Sequence, residues 1–571
     1  MRTALRLAGA ALVILLAASA LDHGELFRVA HFQALRNDTA RPLGNAAAYV
    51  AAYLAVALGL AVAVCHRRSV RIVALTLTLA AACIQAGVRA VNGLGFTHHE
   101  ASLLFTESAF LSAALGFFLP RYALAAAVTL AGGLGAAWLA LRIGPRLRSW
   151  WWLGVPLAAV LVAEQLVDQT FGKVYELPPP VRVALLTAWA WQHRLPVYAE
   201  REAPYFEPHG TALADHVVLI VDESISGHWL GVNGAPVDTT PWLASRPAGV
   251  FNYGIASAIS NLSSSSNIIL QTGLPADALP DHEFRALRGP NLFAYFARAG
   301  YYTALVDAQT YSDAPPNLMT GFDLRRIDSV ERLRETEAGV PEYAIDFTAL
   351  PRIAALIGSH PRTFTYLIKT GAHLPYDDKA PPGQQPFSVA GDAGPRRIRH
   401  VYWNAIRWTT DHFLEELSAT LAATGRDVLV VYTSDHGQWL ADESTADRKI
   451  SPHATVVDPP DEQASVPLLL LGFGPKTRPA LAQRFSTQLV DAASAHEIFP
   501  TLLQAAGYVA LDTDARYGPS LFEPGAPRPP RTFVSGNIFG THAGAYVLNR
   551  GYGDDCFVNA FHVEAVRSPS P

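Results

Sequence analysis

Two stretches of the chain place metal-ligand side chains directly after an apolar run. Residues 217–221 are apolar and mostly β-branched, and the carboxylate of Glu223 comes two positions later. Residues 428–432 have the same character, and Asp435 and His436 follow two hydroxyl-bearing residues. Each run predicts a buried strand. Because ligands bind beyond the carboxyl ends of the strands in an open α/β sheet, we expect one metal site between the two strand ends.

A serine-rich turn supplies a candidate nucleophile. Residues 260–267 are rich in serine and lead into the apolar helical run 268–273. A hydroxyl at a helix N-terminus beside a metal is suited to nucleophilic attack, since the helix dipole and the cation both favour its alkoxide form. A serine cluster that only caps the helix is the alternative, because serine favours that position anyway. The residues alone leave both interpretations open.

The candidate metal ligands are oxygen and nitrogen donors of the kind that zinc accepts. They are Glu223, Asp435, His436 and His453. A catalytic zinc also keeps one position free for the substrate or nucleophile. Each signal is weak by itself, because an Asp-His-Gly sequence is more often a turn and a single histidine is more often a surface residue.

The elements that must position these residues form an alternating pattern from residue 216 onward. Short strand patterns alternate with helical ones, which predicts a mostly parallel sheet flanked by helices, an α/β domain over residues 216–571. The predicted strands are 217–221, 302–306, 363–368, 428–432 and 467–471, and the predicted helices are 291–299, 346–357, 401–423 and 491–506.

Residues 1–170 are expected to form a transmembrane domain of about five helices. Hydrophobic residues make up 50% of the chain and are concentrated in this part. The apolar runs are 4–21, 46–65, 72–88, 122–141 and 150–167. Each is long enough, or nearly so, to cross about 30 Å of hydrocarbon. A cleaved signal peptide is the alternative for the first run, and the spans that follow favour an uncleaved helix.

Basic residues predict the orientation of this domain. Loops 66–71 and 142–148 are densely basic and should lie in the cytoplasm, so five spans place everything after residue 170 outside. Residues 97–112 are too polar at their start to span, and they predict an amphipathic helix in the outer interface. Residues 171–215 form the expected bridge, a short tryptophan-bearing helix followed by a linker.

Charge and cysteine content exclude two other classes of protein. The net charge is −5, and the sequence lacks the stripe of basic residues that is expected of a nucleic-acid-binding protein. Cys65 and Cys83 lie in apolar runs, which leaves Cys556 as the one cysteine after residue 170. A disulfide framework within the second domain is therefore excluded, although we expect this domain outside the cytoplasm.

The chain carries an ordered set of motifs after residue 216. The set is Val221-Asp-Glu-Ser224, Thr239-Thr-Pro-Trp-Leu243, the serine turn up to Thr272-Gly273, Asn291 to Tyr301, Thr370-Gly-Ala-His-Leu-Pro-Tyr376, Thr433-Ser-Asp-His-Gly437, His453 before Ser465-Val-Pro467, and His496-Glu-Ile-Phe-Pro-Thr-Leu-Leu503. This order resembles the alkaline phosphatase/sulfatase superfamily. With five preceding spans, the chain looks most like the membrane-bound phosphoethanolamine transferases of bacterial inner membranes.

The resemblance implies zinc-dependent transfer of phosphoethanolamine from phosphatidylethanolamine to lipid A or another envelope glycan. It implies a multi-pass protein of the bacterial inner membrane with a periplasmic catalytic domain and a phospho-serine intermediate. The implied zinc ligands are Glu223, Asp435, His436 and the nucleophile Ser263. His373 and His453 match histidines that line the substrate pocket or hold a second metal.

Three further residues are expected to contact the substrate. Lys369 is placed to neutralise phosphoryl charge. Glu107 and Glu164 should lie near the outer interface, where they are candidates to contact the ammonium head of the lipid donor. A carboxylate there is costly unless it is paired or hydrated, and plain solvation is the alternative for both.

The chain departs from the family pattern in three places. The nucleophile of these transferases is usually threonine, whereas counting back from Gly273 gives Ser263, with Ser264 as the nearest rival. The disulfides common in these transferases cannot form here. Asp222 stands where a small residue is common, which leaves room for an extra ligand or for a role in orienting the ligands.

Other functions of the same fold remain as alternatives. One is a membrane-tethered phosphodiesterase or sulfatase, although the turn Ser263-Ser-Ser-Ser-Asn267 lacks the Cys-x-Pro-Ser-Arg sequence of type I sulfatases. Another is a transferase that delivers glycerol phosphate to a polymer. The third is a catalytically silent envelope scaffold, which the retention of every ligand type in order disfavours.

Overall fold

The chain divides into two compact units in a computed structural model. The structure describes all residues except 22–41, 93–95, 97–100, 102–107, 150–151, 153, 159–160, 162–178, 193–197, 199, 311–314, 338, 446–451, 456–458, 540–545, 551–563 and 566–571. The first unit is Met1–Arg194 and the second is Leu195–Pro571.

The first unit is helical. Its helices are Arg2–Leu21, Pro42–Cys65, Arg68–Asn92, Ser108–Ile143 and Pro179–Gln192. Among the described residues, three stretches are long and apolar enough to cross a bilayer, namely Arg2–Leu21, Arg68–Ala90 and Tyr122–Ile143. The stretch Val50–Cys65 is apolar but shorter. These helices indicate a membrane protein.

Two expectations for the first unit fall partly outside the described residues. The predicted span 150–167 is largely undescribed, as are residues 97–100 and 102–107 of the predicted interfacial helix. The end of that predicted helix, from Ser108, is the start of the long helix that continues to Ile143.

The two basic loops of the first unit lie next to each other. The backbone N–H of Leu147 donates to the carbonyl of Cys65 over 3.0 Å, and Arg67 Nε donates to the carbonyl of Arg148 over 3.0 Å. Both loops therefore occupy one end of the helix bundle, as an arrangement with one cytoplasmic end requires.

The second unit is built on a seven-stranded sheet. The strands are β1 His216–Asp222, β2 Val250–Ser257, β3 Tyr302–Asp307, β4 Ser329–Arg332, β5 Thr363–Ile368, β6 Val428–Ser434 and β7 Ser465–Phe473. Their order is β2-β7-β6-β1-β5-β3-β4. Strand β1 pairs in parallel with β5 and β6, and β3 pairs in parallel with β4 and β5. Strand β7 is antiparallel to β6 and to β2. The predicted mostly parallel sheet is therefore confirmed.

Both faces of this sheet are covered, which explains the continuous apolar runs in its central strands. Every residue of β1 is buried. Val217, Leu219 and Val221 belong to one hydrophobic core, and Val218 and Ile220 belong to the other.

Helices and a small second sheet complete the second unit. The helices are Pro241–Ala244, Ser263–Thr272, Arg285–Arg288, Leu292–Arg298, Gly321–Leu324, Leu333–Thr336, Glu342–Ile345, Ala349–Ser359, Gly394–Ala405, Phe413–Thr424, Thr477–Arg484, Ile498–Ala505 and Ala510–Tyr517, and a π-helical segment Ile406–His412 joins two of them. The second sheet consists of β8 Arg531–Ser535, β9 Tyr546–Arg550 and β10 Glu564–Ala565, all antiparallel.

Candidate metal centre and nucleophile

Strands β1 and β6 bring three of the predicted metal ligands together. The strands are parallel neighbours, and Asp222 pairs with Ser434 at their carboxyl ends. Glu223 and Asp435 therefore occupy equivalent positions just beyond the sheet. One ligand atom from each of Glu223, Asp435 and His436 lies within 4.8 Å of the other two, and all three residues are buried. The register of the sheet thus assembles a candidate metal site.

The donor atoms fit a zinc ion. His436 Nε2 lies 3.5 Å from Glu223 Oε1 and 3.7 Å from Asp435 Oδ2. Tetrahedral zinc with bonds of about 2.0–2.2 Å separates its ligand atoms by roughly 3.3–3.6 Å. His436 Nδ1 donates to the carbonyl of Gly437 over 2.9 Å, which leaves the Nε2 lone pair directed at the carboxylates. Within the described residues, the buried Asp435 Oδ2 has no hydrogen-bond partner.

The electrostatics of the cluster also favour a cation. Burial raises the pKa of Asp435 to about 7, and the neighbouring Glu223 carboxylate adds to this rise. Burial likewise raises the pKa of Glu223. Two buried carboxylates that repel each other are stabilised by a divalent cation, which would also give Asp435 Oδ2 a partner.

Ser263 places its hydroxyl against this cluster. It is the first residue of the serine helix, Ser263–Thr272. Its Oγ lies 3.2 Å from Glu223 Oε2 and 3.3 Å from His436 Nε2. Its position is at the helix end that carries the free N–H groups and the positive end of the dipole. Ser264 and Ser265 are buried in the same turn. The geometry is the one expected of a nucleophile that is also the fourth metal ligand.

Two further predicted site residues lie beside the cluster. The ring centroids of His436 and His453 are 4.9 Å apart, with the rings nearly parallel. The centroids of His453 and His373 are 6.1 Å apart. His373 Nδ1 donates to the carbonyl of Leu374 over 2.6 Å, which orients its ring. His453 therefore contacts both His436, a candidate metal ligand, and His373.

Lys369 lies beneath the site, which differs from its predicted contact with substrate. Its Nζ is 2.6 Å from Asp222 Oδ2, and both side chains are completely buried. The ammonium also contacts the carbonyl of Thr409 and lies 4.2 Å from the Phe413 ring centroid. Burial raises the pKa of Asp222, and the Lys369 ammonium opposes this rise. An ammonium enclosed in this way neutralises Asp222 and does not reach the surface of the site.

Asp222 holds the backbone that carries both candidate carboxylate ligands. Its Oδ1 accepts from the backbone N–H of Glu223 over 3.0 Å, and its Oδ2 accepts from Tyr432 Oη over 2.7 Å. The carbonyl of Asp222 accepts from the backbone N–H of Asp435 over 3.0 Å. Asp222 is therefore placed to position the ligands, one of the two roles that its presence suggested.

Lys369→Met is expected to destabilise the protein strongly. It leaves the Asp222 carboxylate buried without its cation, and breaking a buried pair from one side costs about 3–5 kcal/mol. Arg326→Met is the matched control, since Arg326 and its partner Glu200 are both more than 60% exposed and such a pair contributes about 1 kcal/mol or less. Thermal melting of the two purified variants measures the difference. Equal melting temperatures would show that the Lys369 pair has no structural role.

Gln309 is a site residue that the sequence did not reveal. Its Nε2 donates to Glu223 Oε2 over 2.8 Å and to the carbonyl of Lys369 over 2.7 Å. Gln309 follows β3, which ends at the same edge of the sheet as β1. The sequence marks Gln309 only by its position after a predicted strand. Glutamine is neither a usual zinc ligand nor a catalytic acid, so its residue type does not indicate a site.

Gly437 is required by close packing beside His436. A Cβ at this position would overlap with the carbonyl oxygens of Glu462 and Ser465. The Gly437 N–H donates to the carbonyl of Gln463 over 3.1 Å. The Asp-His-Gly sequence therefore supplies both the candidate ligands and the close approach of residues 462–465. Glu107 and Glu164, the predicted contacts of the lipid head group, lie outside the described residues.

Comparison with known proteins identifies the second unit. Residues 215–508, slightly more than half of the chain, match the sulfatase family. The chain belongs to the sulfatase family. The matched segment of this sulfatase-family chain begins just before β1 and includes Ser263 and all the candidate ligands, so the predicted resemblance to the alkaline phosphatase/sulfatase superfamily is confirmed.

The sulfatase-family chain is similar to one curated relative. It is 24% identical over 250 residues to phosphoethanolamine transferase EptA of Helicobacter pylori. The match covers 42% of this chain and 45% of that relative. The chain thus aligns with less than half the length of the relative.

The solved structures that share the fold of this sulfatase-family chain include two phosphoethanolamine transferases. Integral membrane lipooligosaccharide phosphoethanolamine transferase A (EptA) of Neisseria meningitidis aligns with a TM-score of 0.61 and 15% identity, over 88% of this chain and 96% of that one. The zinc complex of the C-terminal periplasmic domain of EptC of Escherichia coli aligns with a TM-score of 0.51 and 19% identity, over 62% of this chain and 99% of that one.

Proposed function

We propose that this chain is a zinc-dependent phosphoethanolamine transferase. It takes phosphoethanolamine from phosphatidylethanolamine and delivers it to lipid A or another envelope glycan. The observation that carries the proposal is the position of Ser263 Oγ, within 3.4 Å of both Glu223 and His436 at a helix N-terminus. The similarity to EptA of Helicobacter pylori supports the choice of transferred group.

The proposed metal is a zinc ion held by Glu223, Asp435, His436 and Ser263. Zinc supplies Lewis acidity, which favours the ionised form of a ligated hydroxyl and stabilises negative charge on phosphoryl oxygens. The zinc-bound domain of EptC supports this choice of metal. A second metal at His373 and His453 remains a prediction.

The proposed reaction has two displacement steps at phosphorus. Ser263 Oγ attacks the donor phosphodiester, an Oγ–P bond forms, and the bond from phosphorus to the glycerol oxygen breaks. Diacylglycerol leaves with a proton, and phosphoethanolamine remains on the serine. The acceptor hydroxyl then attacks the same phosphorus, loses its proton, and releases Ser263 as the free hydroxyl.

His373 and His453 are the proposed proton donors and phosphoryl contacts. Imidazole titrates near neutral pH, so it can protonate the leaving glycerol oxygen and later accept the proton of the acceptor. The positions of these rings support this role, because His453 lies next to His436, whose Nε2 is 3.3 Å from Ser263 Oγ, and both His373 and His453 are only partly buried.

The proposed location is the bacterial inner membrane, with five spans and a periplasmic catalytic domain. The three apolar helices and the adjacent basic loops support this topology. Glu107 and Glu164 remain the proposed contacts of the donor ammonium group. This location gives the enzyme a lipid donor from the outer leaflet of the same membrane.

Expression in a Gram-negative host tests the proposed function. Mass spectrometry of lipid A and envelope glycans should show added phosphoethanolamine with the wild-type chain and none with a host that carries the empty vector. Release of free phosphoethanolamine, with no glycan modified, would instead identify a membrane-tethered hydrolase. A glycerol-phosphate adduct would identify the polymer transferase.

A further inference from the structure

Arg182 is a buried cation in the first unit. It lies in the first turn of the helix Pro179–Gln192 and is only 2% exposed. In the described part of the chain, its Nε and Nη2 atoms have no hydrogen-bond partner. A guanidinium offers five N–H donors and no acceptor, and it stays charged in proteins. Because a buried charge is costly unless it is paired, this position requires an anion.

Gln85 supplies a second buried donor from a neighbouring helix. It belongs to Arg68–Asn92, which packs on Pro179–Gln192 through a shared hydrophobic cluster that includes Val88 and Leu186. Gln85 Oε1 accepts from the backbone N–H of Phe96 over 2.8 Å. Its Nε2 has no hydrogen-bond partner among the described residues. Both groups that lack partners are donors, so they fit a ligand with negatively charged oxygen atoms, such as a phosphate.

An apolar cavity lies beside Gln85 and the start of the helix that carries Arg182. Gln85 lines it, and so do Pro179 and Pro180, which share the first helical turn with Arg182. Most of its remaining wall consists of alanine, leucine and valine side chains from four other helices, and its volume is about 110 Å³. An apolar cavity of about 150 Å³ stays dry and accepts benzene. The cavity is therefore suited to methylene groups, while a whole lipid would extend beyond it.

The length of the cavity matches one leaflet of a bilayer. Its wall includes Leu75 as well as Gln85, and these residues are about 15 Å apart along the helix at 1.5 Å per residue. The hydrocarbon core of a bilayer is about 30 Å thick, so each leaflet contributes about half of this. Leu75 is the nearer of the two to the basic loop 66–71. The donor end of the cavity therefore faces away from the basic loops, toward the outer leaflet.

We propose that the helix bundle binds a bilayer phospholipid as a resident ligand. Arg182 and Gln85 bind its phosphate oxygens, and part of one acyl chain occupies the cavity while the rest of the lipid extends beyond it. The contacts are to the phosphate and not to the head group, so phospholipids with different head groups fit the site. This site goes beyond the proposed transfer reaction and does not depend on it.

Native mass spectrometry of the full-length protein tests the site. The delipidated protein, in detergent, is mixed with dioleoylphosphatidylglycerol, which contains no ethanolamine, or with dioleoylglycerol, which has the same chains without phosphate. The wild-type chain should retain one phosphatidylglycerol and no dioleoylglycerol. Arg182→Gln should bind phosphatidylglycerol at least about tenfold more weakly, since it removes a charge-assisted phosphate contact. Arg68→Gln removes an exposed arginine of the same unit and should bind as the wild type does.

Thermal melting separates lipid binding from a purely structural role of Arg182. Without lipid, Arg182→Gln should melt at the same temperature as the wild type or higher, because the variant lacks a buried unpaired charge. Phosphatidylglycerol should raise the melting temperature of the wild type and not that of the variant. Gln85→Leu is a second variant and should weaken phosphatidylglycerol binding as well.

Three outcomes would overturn the proposal. They are equal retention of phosphatidylglycerol by the wild type and Arg182→Gln, equal retention of dioleoylglycerol and phosphatidylglycerol by the wild type, and retention of detergent only. If Arg182→Gln failed to fold, undiminished binding of phosphatidylglycerol by Gln85→Leu would also overturn the proposal.

Discussion

Ser263→Ala should abolish the phospho-enzyme and lower transfer by roughly 10³-fold or more, the scale on which the loss of a catalytic nucleophile acts. The substitution removes the hydroxyl that lies 3.2 Å from Glu223 Oε2 and 3.3 Å from His436 Nε2. The three other candidate zinc ligands remain, so zinc binding should persist with lower affinity. Intact-mass measurement after addition of phosphatidylethanolamine should show an adduct on the wild type and none on the variant.

Two further variants make this result specific. Ser264→Ala changes the next residue of the same helix, and adjacent helical side chains are rotated by about 100°, so this variant should still form the adduct. Ser263→Thr should retain part of the activity, because it keeps a hydroxyl at the same position. An adduct mapped to Ser264 would move the nucleophile by one residue. Turnover that survived the loss of both hydroxyls would rule out covalent catalysis.

The edge of the sheet that carries the candidate metal ligands could be predicted, because parallel strands end at the same edge. The residues that follow β1 and β6 meet at this edge because the structure places the two strands side by side. Glu223 and Asp435 satisfy this condition directly. The choice of Ser263 over Ser264 depends on where the serine helix starts, since that start decides which hydroxyl faces the cluster. The structure starts that helix at Ser263.

The surroundings of the ligands could not be predicted in the same way. Lys369 follows β5 at the same edge, so its side chain could have pointed into the site or beneath it. It points beneath because Asp222 supplies a buried carboxylate at 2.6 Å. Gln309 went unrecognised because its role depends on a contact with Glu223 across the sheet. Such contacts between distant segments leave no pattern in the local sequence.

Parts of the fold escaped prediction for local reasons. Strand β2 contains Asn252 and Gly254, and its register shifts between Asn252 and Ile255. This irregularity removes the uninterrupted apolar run by which the other strands were found. Strand β7 was predicted, but its antiparallel direction depends on the connection to β6 and not on its composition. The predicted helix 401–423 contains the π-helical segment Ile406–His412, which the apolar period does not reveal.

Asp435→Asn should remove most of the bound zinc and most of the activity together. Asn preserves the size of the side chain and an oxygen that can accept from the backbone N–H groups of Ser224 and His436. It removes the charge of the carboxylate whose Oδ2 has no other partner in the described residues. Elemental analysis of the purified protein should give about one zinc per wild-type chain, the content of a single catalytic site, and far less for the variant.

Asp411→Asn is the matched control for this substitution. Asp411 is also buried and accepts from two backbone N–H groups, those of Trp242 and Leu243. It is not one of the clustered candidate ligands. The control should keep its zinc even if it loses some stability. Equal zinc content in Asp435→Asn and Asp411→Asn would show that the metal site has been misplaced.

Zinc should stabilise Asp435→Asn much less than it stabilises the wild type. Without metal, Asp435 and Glu223 are two buried carboxyl groups that raise the pKa of Asp435 through burial and mutual repulsion. The substitution removes this repulsion, so the chelator-treated variant should melt at the same temperature as the wild type or higher. Zinc at about 100 times its dissociation constant should stabilise the wild type by about 2.7 kcal/mol. The variant should gain much less, because it lacks the second carboxylate. A metal-free variant that melts well below the metal-free wild type, with zinc raising both equally, would mean that Asp435 acts through its hydrogen bonds to Ser224 and His436 and not as a ligand.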